Sequence, residues 1–74
     1  MITLLFNEQV ATELHNYGFK PHNNELNLDM LSMINLGIVL YEMCDKADFT
    51  QYKIINDHID MTDISVCKGY LKNK

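Results

Sequence analysis

Residues 30–44 read MLSMINLGIVLYEMC, and this stretch dominates the hydrophobic pattern of the chain. At the 100° spacing of an α-helix, its apolar side chains fill most of the circumference. The polar residues share one sector of the helix: Asp29, Ser32, Asn35 and Glu42. A helix that is apolar nearly all round must be buried nearly all round. We therefore expect a central helix from about residue 27 to residue 44.

A first helix is predicted upstream by apolar residues at spacings of four, four and three: Phe6, Val10, Leu14 and Tyr17. Asn7 can cap its start, and Gly18 fits the left-handed position that follows a helix end. Pro21 prevents the helix from continuing. The pattern allows residues 2–6 to be either an extended arm or a further helical turn.

Two more helices are predicted after the central one. The third begins at Asp48 and carries four apolar residues at helical spacing: Phe49, Tyr52, Ile55 and Ile59. The fourth begins near Thr62 and carries Ile64, Cys67 or Val66, Tyr70 and Leu71. The predicted core includes Leu4, Leu14, Leu36, Ile55 and Ile59. The predicted fold is all-α, a three- to four-helix bundle over residues 1–74 as one domain, with no internal repeat.

Composition excludes several classes of protein. The chain has 74 residues, six lysines, no arginine and a formal net charge of −4, which argues against an independent nucleic-acid grip. The longest apolar stretch falls short of the ~20 residues that cross a bilayer, and the N-terminus lacks the pattern of an export signal. Cys44 and Cys67 are expected to be free thiols. We expect a cytoplasmic protein that does not contact membranes.

Residues 52–71 resemble a helix-turn-helix. The apolar positions of such a unit are filled by Ile55, Ile59, Met61 and Val66, and Thr62 would cap the second helix. The resemblance implies a DNA-binding regulator. However, Asn56 and Asp60 replace the small residue and the turn glycine of that motif, and Lys68 is the only cation of its second helix. We therefore expect an ordinary helical corner rather than a DNA reader.

No residue pattern indicates catalysis, a metal or another cofactor. Asp57, His58, Asp60 and Asp63 lack the i, i+4 pairing that places two ligands on one helix turn. The three histidines and two cysteines are scattered, without a third group to orient a nucleophile. We expect a protein that is not an enzyme.

The central helix is expected to bind a partner, because short flanking helices cover only part of it. The candidate interface residues, toward a second copy or another protein, are Met30, Met33, Ile34, Gly37, Ile38 and Tyr41. Gly37 either permits close approach by another helix or slightly breaks the helix.

An acidic rim is predicted to steer the chain toward a basic surface: Glu8, Glu13, Asp57, Asp60 and Asp63. The functional expectation is a homodimeric protein, of the kind that phages and mobile elements use against host defence, which inhibits a host protein by binding it. The alternatives are a helix-turn-helix regulator and a small-ligand binder at an oligomer interface.

Overall fold

The chain forms an α/β fold, and the predicted all-α bundle is wrong. The computed structural model describes residues 1–46 and 48–67. Three strands form one mixed sheet beside two helices, in the chain order β1 (Ile2–Leu5), α1 (Glu8–Leu14), β2 (Glu25–Leu28), α2 (Met30–Met43) and β3 (His58–Asp60). Two single 3-10 turns follow the helices, at His15–Tyr17 and at Phe49–Gln51.

The central strand of the sheet is β1, which lies between the other two. It pairs antiparallel with β2 and parallel with β3. Leu4 faces Leu26 on one side and Ile59 on the other, and all three are buried in the core. Because successive side chains of a strand alternate between faces, Thr3 and its neighbours project from the opposite face of the sheet. The helices therefore cover only the face that carries Leu4.

The prediction of α1 is confirmed at both of its ends. The side-chain oxygen of Asn7 accepts a hydrogen bond from the Val10 N–H at 2.9 Å and caps the helix. Gly18 adopts the left-handed conformation, with φ of 91°. Residues 2–5, which the pattern left open, form strand β1.

Helix α2 begins later than predicted, because residues 25–28 form strand β2. Its N-cap is Asp29, whose carboxylate accepts a hydrogen bond from the Ser32 N–H at 2.8 Å. One side of the helix is buried, through Met33, Leu36, Leu40 and Met43. The central helix is therefore half-covered by the described chain.

The predicted third and fourth helices are wrong within the described residues. Only the turn Phe49–Gln51 is helical, and strand β3 occupies the place of the third helix's last turn. Ile55, a predicted core residue, is 60% exposed. Residues 61–67 form turns and one bridge, and Tyr70 and Leu71 lie outside the described residues. The helix-turn-helix expected as a corner at 52–71 therefore has no helix from 52 to 67.

Two turns of the same shape lead into the outer strands. Asn23 and Asn24 have φ of 52° and 63°, and Asn56 and Asp57 repeat these values. Positive φ at both central residues defines the type I′ turn, which asparagine and aspartate tolerate. The carbonyl of Asn24 accepts from the Phe6 N–H, and that of Asp57 accepts from the Thr3 N–H. Residues 22–25 and 55–58 thus form two turns of the same geometry, each leading directly into an outer strand.

Candidate functional site

The outer side of α2 presents a continuous row of exposed large apolar side chains. We call this row the α2 apolar face, and it consists of Met30, Leu31, Ile34, Ile38 and Tyr41. Each of the five is between 51% and 76% exposed. At 100° per residue they fall within an arc of about 100°. The face runs almost the full length of the helix, opposite the side that packs on the core.

Two different borders flank the α2 apolar face. On one side lie Asn35 and Glu42, which are exposed and polar. On the other side lies Gly37, where an added Cβ would be 2.9 Å from ring carbon Cε1 of Phe49. The chain's own Phe49 therefore occupies the space over Gly37. The space that Gly37 was predicted to leave for another helix is therefore taken by the ring of Phe49.

Four of the six predicted interface residues lie on the α2 apolar face: Met30, Ile34, Ile38 and Tyr41. Met33 is buried in the core at 6% exposure, and Gly37 lies beneath Phe49. Sequence reasoning missed Leu31, which is the most exposed of the five. Its position one residue after Met30 at the start of the helix, on the arc of Ile34 and Ile38, is the signal that identifies it.

The five predicted rim carboxylates lie in four places. Glu8 and Glu13, on α1, line a shallow depression with Val66. Asp57 lies in the second type I′ turn, and Asp60 lies at the end of β3. Asp63 follows in the next turn. Apart from Glu13, which is partly buried, these residues are exposed.

Two of these carboxylates hold loops together. The carboxylate of Asp60 accepts from the backbone N–H and the hydroxyl of Thr62, and these bonds lower its pKa. The carboxylate of Asp63 accepts from the Tyr52 hydroxyl at 2.9 Å and from Lys46 Nζ at 3.4 Å. The Tyr52 hydrogen bond is the main cause of the lowered pKa of Asp63. Both groups therefore have a structural role besides their charge.

The described surface is strongly acidic. All ten carboxylate side chains lie in the described residues, together with three of the six lysines, Lys20, Lys46 and Lys53. Helix α2 itself contains no basic residue. The whole chain carries ten carboxylates and six lysines, a formal net charge of −4, so its field attracts cationic surfaces.

The two cysteines are free thiols. Cys44 is buried, and burial raises its pKa to about 12, so the thiol is protonated at neutral pH. Cys67 is a partly buried free thiol. Within residues 1–46 and 48–67, no group of three or more His, Cys, Asp or Glu residues is placed to hold a metal ion. In the same ranges, no helix combines the length and the apolar character that a bilayer crossing requires.

No family model, curated protein or solved structure gives a significant match to this chain. A functional hypothesis therefore depends on the surfaces described above.

Proposed function

We propose that this chain is a non-enzymatic binding protein, which modulates another protein by docking through the α2 apolar face. The observation that carries the proposal is the exposure of five large apolar side chains in one row. Isolated exposed apolar residues are normal on a protein surface, whereas a contiguous patch marks a site of interaction.

The size of the patch supports this proposal. At about 200 Å² of accessible surface for a fully exposed large residue, the five side chains leave on the order of 600 Å² of surface uncovered. That is at the upper end of the largest patch on a typical monomer, about 300–600 Å². It belongs to a small chain with a total accessible surface of 5025 Å².

The charge of the chain indicates the chemistry of the target. Ten carboxylates against six lysines, a formal net charge of −4, favour an apolar surface bordered by basic side chains. Surfaces that bind nucleic acid are basic, so a host factor of that kind is the target class we propose. Inhibition would then be steric, as in anti-defence proteins of phages and mobile elements.

The proposal is tested by affinity capture with matched variants. The immobilised chain is exposed to lysate of the host cells, beside the Ile34→Asp/Ile38→Asp variant. The control is Gln9→Asp/Asn35→Asp, which adds the same charge at two exposed positions outside the face. We expect wild type and control to retain the same stoichiometric protein, and the face variant to lose it.

A second measurement tests the electrostatic part of the proposal. The association rate with the captured protein should fall steeply as salt is added, because screening weakens long-range attraction. Equal capture by the face variant and by wild type, or no stoichiometric protein at all, would contradict the proposal.

A further inference from the structure

Four residues of the α2 apolar face have the same spacing in both directions along the chain. Leu31, Ile34, Ile38 and Tyr41 follow one another at intervals of three, four and three residues. A helix face of this kind can pair with a reversed copy of itself. A two-fold axis level with the midpoint between Ile34 and Ile38 sets Ile34 opposite Ile38, and Leu31 opposite Tyr41. This is the self-complementary contact that a symmetric dimer requires.

Charge decides between an antiparallel and a parallel pair of α2 helices. A parallel pair would align the macrodipoles of the two helices, with like ends side by side. An antiparallel pair brings Glu42 near Met30 of the second copy, at the positive end of its helix. The macrodipoles of the two helices then also run in opposite directions. The antiparallel arrangement is the one that fits.

The area of the face is also sufficient. Two copies of a face of about 600 Å² bury on the order of 1,200 Å² together, which is the lower limit for a stable, specific protein–protein interface. The five residues that supply this area include one tyrosine and one methionine, types that are enriched at interfaces.

We infer that the free protein is a homodimer in which the α2 apolar faces of two copies pack antiparallel, Leu31 against Tyr41 and Ile34 against Ile38. The inference rests on the proposed function, since it takes the same face as a docking surface and names its occupant in the free protein. The target would then compete with the second copy for this face.

The oligomeric state is tested first by light scattering coupled to size-exclusion chromatography, up to about 1 mM protein. We expect twice the chain mass of 8.6 kDa for wild type and for Gln9→Asp/Asn35→Asp. We expect the Ile34→Asp/Ile38→Asp variant to be a folded monomer by circular dichroism, with a dissociation constant raised at least ~100-fold.

The orientation is tested by cross-linking in a Cys67→Ser background, with a short bismaleimide as the probe. Leu31→Cys alone should not cross-link to itself, and neither should Tyr41→Cys. An equal mixture of the two variants should give a covalent dimer. The buried native Cys44 serves as the unreactive reference. Cross-linking of Leu31→Cys to itself would overturn the antiparallel arrangement.

The possible outcomes separate the inference from the proposed function. A wild-type monomer whose capture of a target is lost in the face variant overturns the dimer and leaves the proposed function standing. A dimer that persists in the face variant uses another surface and overturns the inference. A monomer that the face substitutions unfold uses this face within its own fold, which also overturns the inference. If the dimer behaves as expected but the chain captures no target, the inference is supported and the proposed function is contradicted.

Discussion

The Asn7→Asp substitution tests whether the side-chain amide of Asn7 connects α1 to the turn that follows β3. The Asn7 side chain has two roles, because its oxygen caps α1 while its amide group faces the other way. Nδ2 donates to the carbonyl of Ile64 at 2.5 Å and to that of Thr62 at 3.2 Å. The Asn7→Asp substitution keeps a capping oxygen but replaces the amide donor with a second oxygen.

The expected cost follows from these contacts. Losing two hydrogen bonds of about 0.5–1.5 kcal/mol each removes about 1–3 kcal/mol. Repulsion between the new oxygen and the two carbonyls adds to the loss. A negative charge at the helix start offsets about 0.3–1 kcal/mol. We expect Asn7→Asp to lower the free energy of unfolding by about 2 kcal/mol, although aspartate and asparagine are equally good caps.

Urea unfolding followed by circular dichroism measures this loss, with Asp29→Asn as the matched control. The control exchanges the same two residue types at the N-cap of α2, where the oxygen accepts from the Ser32 N–H. We expect it to cost less than about 1 kcal/mol. With a slope of about 1 kcal/mol per molar urea, Asn7→Asp should lower the unfolding midpoint by about 2 M at one protein concentration.

The pH dependence of the variant provides a second arm of this test. The two carbonyls raise the pKa of the new carboxyl, and its protonated form can donate a hydrogen bond again. The difference in the free energy of unfolding between Asn7→Asp and wild type should therefore decrease as the pH falls below about 4. If Asn7→Asp is as stable as Asp29→Asn, the amide of Asn7 does not hold the 62–64 segment.

Three further outcomes are expected. Gly37→Ala should not raise the melting temperature of the wild-type chain, because the added Cβ would lie 2.9 Å from the Phe49 ring. In a Phe49→Ala background it should raise the melting temperature, because alanine stabilises a helix by about 1 kcal/mol relative to glycine. An equal rise in both backgrounds would contradict this contact. The pKa values of Asp60 and Asp63 are lowered from 3.8 in the folded chain, so the free energy of unfolding should fall as the pH drops through 3.8 and below. Urea unfolding at a series of pH values measures this fall, which should be shallower in Asp60→Asn. Asp57 has φ of 63°, a left-handed conformation that glycine adopts easily and valine does not. Asp57→Gly should therefore raise the melting temperature, and Asp57→Val should lower it by the equivalent of about 1–2 kcal/mol. Equal effects of the two substitutions would exclude the left-handed turn.

The helices were predictable from sequence because each has a cap and several turns of apolar spacing. Asn7 marks the start of α1, Gly18 marks the end of the 3-10 turn that continues it, and the long apolar run marks α2. Strands β2 and β3 were missed, and β1 was left open as an extended arm or a helical turn, because each strand has only three or four residues. A run that short shows at most two apolar positions of one alternation, and the same residues then fit a helical period.

The turns carried a local signal that helical spacing obscured. Asn23–Asn24 and Asn56–Asp57 are dipeptides suited to a type I′ turn, and each directly precedes a strand. Apolar residues before and after the second pair continue the helical spacing from Phe49, so the pattern predicted a helix through the turn. The backbone conformation of the turn overrides that spacing.

The candidate site was predictable only in part, and for a similar reason. A helix that is apolar on all sides gives no indication of which side the rest of the protein covers. The sheet covers the side of Met33, and Phe49 covers Gly37, whereas Leu31 is left exposed. Those contacts come from strands and a turn that the hydrophobic pattern did not reveal.

The position of β1 at the middle of the sheet has a consequence for biosynthesis. Thr3 pairs with His58, so the two partners are separated by 55 residues along the chain. At about 5–20 residues per second, the ribosome needs about 3–11 s to add that length. In the first part of this interval β1 has no partner strand. After residues 25–28 have been made, β1 can pair only with β2, and its other edge stays open. The last strand to be translated closes that edge, so premature termination before it would leave an exposed, aggregation-prone strand.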